Sequence, residues 1–221
     1  MHIAEDLLLL LVDNAAARPA LDDGRRQRLL AAAVLLDLAY ACRIRPAQPG
    51  DPAPAGTVMA LQGAEPVSPV ADRALQMIER HPIDAGAVIA KLRGKVEPEL
   101  FEGLERSGLV HSVLLHTRGF RRKEAWTLTD RTRPARARAT ILASLTESHP
   151  PDPTTAAIIS LLYFVDGLGA LLSFDERGWE VVLARAGDIA SGDWLDESAT
   201  DMAEINLAVT TAAVRAALAG R

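Results

Sequence analysis

VEPELFEGLERSGLVHSVLLHTRGFRRKEAWTLTDRTRPARAR, Val96 to Arg138, is the stretch from which the rest of the chain reads. It opens as a short amphipathic helix, with Leu100 and Leu104 one turn apart and Phe101 on the flank, and Ser107-Gly108 breaks it. A hairpin is expected next. Val110, Val113, Leu114 and Leu115 form its first strand, Thr117-Arg118-Gly119 is turn chemistry, and Phe120 to Thr129, carrying Trp126 and Leu128, returns. Charge sets this piece apart. From His116 to Arg138 there are eight basic residues (Arg118, Arg121, Arg122, Lys123, Arg131, Arg133, Arg136, Arg138) against Glu124 and Asp130, a local net of +6 in a chain of net −5. A segregated basic surface on an otherwise acidic protein points to an anionic partner, because clustered positive potential concentrates phosphates beyond what net charge predicts. Arginine-rich loops that are simply solvated are the plainer alternative.

Composition bounds the remainder. The 221 residues suffice for one sizeable core, and 49% apolar content with only 4% aromatic predicts helices packed through alanine and aliphatic side chains, not an all-β fold. Cys42, the single cysteine, forms no internal disulfide and fits a reducing, cytoplasmic compartment. The short run Leu7 to Val12 follows Glu5 and Asp6, which is unlike a signal peptide, and Ile158 to Phe174 is interrupted by Asp166, Gly167 and Gly169. Membrane association is therefore expected to be peripheral, on the inner membrane face.

In chain order, His2 to Asp13 is predicted as a buried helix, and Asp23 as the cap of a long central helix, Gly24 to Arg43. Arg25, Arg26 and Arg28 in its first turns oppose the helix dipole, a cost most simply met by a nearby anion. Arg45 to Pro54 reads as a loop and Thr57 to Gln62 as a short strand. Val70 to Arg80 and Ala85 to Leu92, the latter capped by Asp84, are helices, and Lys91, Arg93 and Lys95 form a small basic cluster after them. Pro134 to Ser148, Thr155 to Leu172, Glu176 to Ile189 and Asp193 to Leu218 are the remaining predicted helices. HExxH, CxxC, GxSxG, P-loop and GxGxxG patterns are absent, so no catalytic residue, metal site or cofactor is assigned, and a non-enzymatic protein is expected.

IAEDLLLLLVDN at the start, AAAVLLDLAYACRI, ELFEGLERSGLV and the closing LARAGDIASGDWLDE with its alanine-rich helix together resemble the Golgi phosphoprotein 3 family in the same order. The resemblance implies one domain over 1–221, a mainly α bundle with a buried hydrophobic core ringed by amphipathic helices, and one projecting β-hairpin. It further implies a peripheral adaptor: eukaryotic members bind phosphatidylinositol 4-phosphate on Golgi membranes and link glycosyltransferase tails to the vesicle coat, using the hairpin to oligomerise. The four positions of that family's lipid pocket fall here at Asp22, Ala31, Gly94 and Glu97, none of which is the family's residue. The neighbouring Arg25, Arg26, Arg28, Lys91 and Arg93, with the hairpin's Arg118, Arg121 and Arg122, are the candidate lipid or anion site. Leu114, Leu115, Phe120 and Trp126 are the candidate oligomerisation or membrane residues of the hairpin, Leu114 and Leu115 having the alternative of facing their own core. Expected partners are an anionic membrane lipid, a protein with an acidic segment, and a second copy through the hairpin. Two alternatives accompany this reading. One is a winged-helix-like DNA-binding protein with the basic hairpin as its wing, against which stand Glu97, Glu99, Glu102 and Glu105 on the preceding helix. The other is a protein-interaction scaffold.

Overall fold

The computed structural model describes residues 2–13, 20–63, 65–116, 122–147, 149–195 and 201–219. Helix α1 (Ile3–Val12) buries eight of its ten residues, all but Glu5 and Asp6, as a segment apolar on nearly every side must. Helix α2 (Asp23–Tyr40) is buried without interruption from Leu29 to Ala39 and forms the axis of the molecule. Its cap is Asp22, one residue earlier than expected, whose carboxylate accepts from the Arg25 N–H at 3.0 Å.

Around α2 pack α3 (Pro69–Arg80), α4 (Ala85–Leu92), α5 (Val96–Arg106), α7 (Pro153–Phe164) and α9 (Met202–Ala219). Helices α6 (Thr132–Thr146) and α8 (Glu176–Ser191) close the outside against α1 and α7. The fold is mainly α, and its buried side chains form one continuous hydrophobic cluster. Strands β1 (Ile44–Pro46), β2 (Thr57–Ala60) and β3 (Ile83–Asp84) make a small antiparallel sheet in that order. Residues 45 and 46 were expected in a loop, but Ile44, buried completely, draws them into pairing with β2. The hairpin pairs β4 (Val110–His116) with β5 (Arg122–Leu128) from Val110↔Leu128 out to His116↔Arg122.

Four helices end in the same way, with a residue in the left-handed region followed by an N–H that reaches back five residues. At α5 and α8 that residue is glycine: Gly108 (φ 70°), with Leu109 N–H to Leu104 C=O, and Gly192 (φ 99°), with Asp193 N–H to Asp188 C=O. At α2 and α7 it is not. Cys42 has φ 51° with Arg43 N–H on Leu38 C=O, and Asp166 has φ 52° with Gly167 N–H on Leu162 C=O. Cys42 therefore lies past α2 and not within it. The helix expected over 155–172 stops at Phe164, followed only by a 3₁₀ turn, Leu168–Ala170. A Cβ in this conformation costs roughly 1–2 kcal/mol, part of which glycine returns as unfolded-chain entropy. Cys42→Gly is accordingly expected to raise stability by about 1 kcal/mol; a thermal melt with an unchanged or lower midpoint would contradict that.

Candidate functional site

The N-terminal end of α2 carries Arg25, Arg26 and Arg28, and the turn that follows Lys91 and Arg93 packs against it. Gly94, in the turn between α4 and α5, sits against α2: a Cβ added there would lie 3.8 Å from Gln27 Oε1. The loop after α7 closes on the same end, since Arg25 Nη1 donates to the carbonyls of Val165 at 3.3 Å and Asp166 at 3.4 Å. Those carbonyls lie at the negative end of the α7 dipole, a favourable place for a guanidinium. Helix α9 reaches this region from the other direction, with Ala217 beside Gly86 of α4 and Arg215 lying 5.7 Å from the Phe164 ring centroid.

The three arginines of α2 divide by partner. Arg25 Nε donates to Asp22 at 2.5 Å, and this bond is the main reason the Asp22 carboxyl is held down at about 2. Arg26 is buried and occupied on all sides: Nε to Glu97 at 2.9 Å, Nη2 to Asp23 at 2.8 Å and Nη1 to the Leu21 carbonyl at 2.9 Å. Its charge is spent inside the fold. Arg28 has no ion-pair partner among the described residues, and its Nε is enclosed without a hydrogen bond. Lys91, Arg93 and Lys95 are exposed and likewise make no ion pair among the described residues. Arg28, Lys91, Arg93 and Lys95 thus carry charge met by no acid among the described residues, while Arg25 and Arg26 hold the end of α2 to α5 and to the loop after α7. The four family pocket positions border this same region, with Glu97 as Arg26's partner, Asp22 as the α2 cap, Gly94 in the apposed turn and Ala31 buried completely.

The basic belt after the hairpin is likewise largely met by acids within the fold. Arg133 Nε donates to Asp6 at 2.6 Å and Arg133 Nη2 to Glu5 at 3.3 Å, and Arg138 Nη1 donates to Asp13 at 2.5 Å, with Arg131 3.5 Å from the same carboxylate. These arginines clamp α6 onto both ends of α1, so much of the +6 window is countered by acids more than a hundred positions away in sequence.

On the hairpin, Leu114 is 60% exposed, as an outward-facing strand residue. Trp126, expected on the interaction face, is half-buried and stacks on Phe101 of α5, with ring centroids 4.4 Å apart and planes 8° from parallel. It anchors the hairpin to its own chain. Arg118, Phe120 and Arg121 lie outside the described residues, as do the side chains of Leu115 and Arg122.

Asp37 escaped the sequence reading. Buried in the last turn of α2, it accepts from the Ile3 N–H at 2.7 Å and the Ala4 N–H at 3.2 Å, and so caps α1 from another helix. Burial pushes its carboxyl up to about 7, against the two N–H bonds that favour the charged form. A cleft near it, lined in part by His2, Glu5, Arg73, Glu99 and Arg106, mixes both signs of charge.

Compared with known proteins, residues 3–205 match the family model described as Golgi phosphoprotein 3. No individual curated protein matches the chain.

Proposed function

Because this chain belongs to the Golgi phosphoprotein 3 family, we propose that it is a non-enzymatic adaptor that docks reversibly on an anionic membrane surface through the N-terminal end of α2. The supporting observation is that Arg28, Lys91, Arg93 and Lys95 have no ion-pair partner among the described residues, beside two arginines whose charge is already met. A cation held near an anionic bilayer contributes about 1 kcal/mol, so four together with the hairpin arginines Arg118, Arg121 and Arg122 give reversible attachment. The ligand class to which the family resemblance points is a phosphoinositide such as phosphatidylinositol 4-phosphate. With Glu97 tied to Arg26, recognition here rests on the neighbouring cations.

Cosedimentation with neutral, generically anionic and phosphatidylinositol 4-phosphate liposomes tests this at low and physiological salt. The native chain is expected to bind the anionic vesicles more weakly as salt rises, and Lys91→Glu/Arg93→Glu to bind at least about thirtyfold less tightly, the loss of two cations alone being worth about 2 kcal/mol. Binding that ignores this double reversal sinks the reading. Salt-sensitive binding to duplex DNA without lipid binding would move the function to the winged-helix alternative.

A further inference from the structure

Between the end of α7, the 3₁₀ turn that follows it and α8 lies a cavity of about 360 Å³, lined by Tyr163, Asp166, Leu168, Gly169, Trp179 and Leu183. Its two aromatic side chains are held by their neighbours. Phe174 meets the Trp179 indole at 84°, with ring centroids 5.4 Å apart, and Gly169 borders the indole edge, Cζ2 lying 4.0 Å from where a Cβ would stand. The Tyr163 hydroxyl lies against Gly187 of α8, 3.3 Å from where a Cβ would stand, so that glycine admits the tip of the ring. Asp166 is exposed at the mouth. Its carboxylate makes no ion pair or hydrogen bond among the described residues: Arg25, the cation that reaches this loop, gives its Nε to Asp22, bonds the backbone carbonyls of Val165 and Asp166, and feels the carboxylate only from beyond ion-pair distance. Two costs meet at Asp166. A carboxylate at the C-terminal end of a helix opposes the dipole, and a side chain at φ 52° occupies a conformation that glycine would take freely. A cation held in the cavity offsets the first.

We propose that this cavity binds a quaternary ammonium group, its charge facing the Asp166 carboxylate and its methyl groups against Tyr163, Trp179 and the two leucines. The lining selects this class. Aromatic rings and a carboxylate together attract an organic cation, while an anion is repelled and a neutral apolar group leaves the carboxylate unmet. A primary ammonium brings three N–H donors into a lining whose side-chain acceptors are Asp166 and the Tyr163 hydroxyl alone. A quaternary ammonium has no donor to satisfy and gives up the least on leaving water. The group reaches the protein either on a soluble molecule such as choline or as the headgroup of phosphatidylcholine, and the chemistry of recognition is the same for both.

Calorimetric titration of the full chain with tetramethylammonium chloride and with choline chloride, at ionic strength held constant with sodium chloride, is the first test. Saturable binding in the millimolar range or tighter is expected. The uncharged isostere of choline, with a tert-butyl group in place of the trimethylammonium, is expected to bind at least about fivefold more weakly. Trp179→Leu should lose about tenfold in affinity and Asp166→Asn about fivefold, with unchanged circular dichroism. Asp166→Gly controls for folding: it relieves the backbone and is expected to melt higher while binding no more tightly than Asp166→Asn. Lys91→Glu/Arg93→Glu should leave choline affinity unchanged, which keeps this cavity distinct from the anionic-surface reading. Vesicles of phosphatidylcholine alone separate the two sources. Sedimentation with them, reversed by excess tetramethylammonium and lost in Trp179→Leu, assigns the lipid headgroup, and choline binding without sedimentation assigns a soluble cation. No saturable binding of either cation, equal affinity for the uncharged isostere, or affinities untouched by both Trp179→Leu and Asp166→Asn would each overturn the proposal.

Discussion

Asp37→Ala is expected to cost about 3 kcal/mol of folding stability, because it leaves the Ile3 and Ala4 N–H groups buried without an acceptor and opens a hole in α2. Asp37→Asn keeps one acceptor oxygen and is expected to cost less. The two variants also separate capping from charge. The folded-state pKa of Asp37 is raised, from 3.8 to about 7, so between those values the folded chain holds a proton that the unfolded chain has released. Stability contributed by this group is therefore fully present below about pH 4 and lost as pH rises to 7, by an amount on the order of 2–4 kcal/mol. Urea denaturation from pH 7.5 down to pH 5 should show the native chain gaining stability relative to Asp37→Asn. Parallel curves for the two would mean that Asp37 is already ionised throughout.

Removing Arg26 is expected to have the second large effect. Its side chain is 9% exposed and that of Glu97 14%, so Arg26→Ala strands a carboxylate in an enclosed site and should cost about 2–4 kcal/mol. Arg26→Met combined with Glu97→Leu removes both charges and fills the space, and is expected to recover most of that loss. The cycle Arg26→Ala, Glu97→Ala and the double variant should give a coupling of about 1–3 kcal/mol by chemical denaturation. Additive losses would show that the two side chains act independently. Because the pair is internal, the Arg26→Met/Glu97→Leu variant should also keep the liposome affinity that Lys91→Glu/Arg93→Glu loses.

Much of this architecture was legible where the chain carries its own local signals. Asp84 was read as a cap and does accept from the Ala87 N–H, Ala85–Leu92 falls on its expected bounds, and Ser107-Gly108 ends α5 as expected. Legibility failed where the decisive group is remote or of an unexpected type. Nothing near Ile3 announces Asp37, which is 34 residues away, and Cys42 and Asp166 close their helices in a conformation that glycine would have signalled. The charge count over His116–Arg138 was right as arithmetic but blind to Glu5, Asp6 and Asp13. For the candidate site, the clustering of cations was readable, whereas their division into tied and untied depended on which acid each one meets.

The dependence of α1 on distant partners also bears on synthesis. Its cap arrives with residue 37 and its clamping arginines only with residues 133 and 138. At about 5–20 residues per second, the ribosome takes roughly 6–25 s to go from one end of that clamp to the other. For that interval Leu7 to Val12, destined for burial, lacks the cover of α6 in the nascent chain. Helix α1 is made long before the arginines that clamp it, and its greasy surface is open to a chaperone in between.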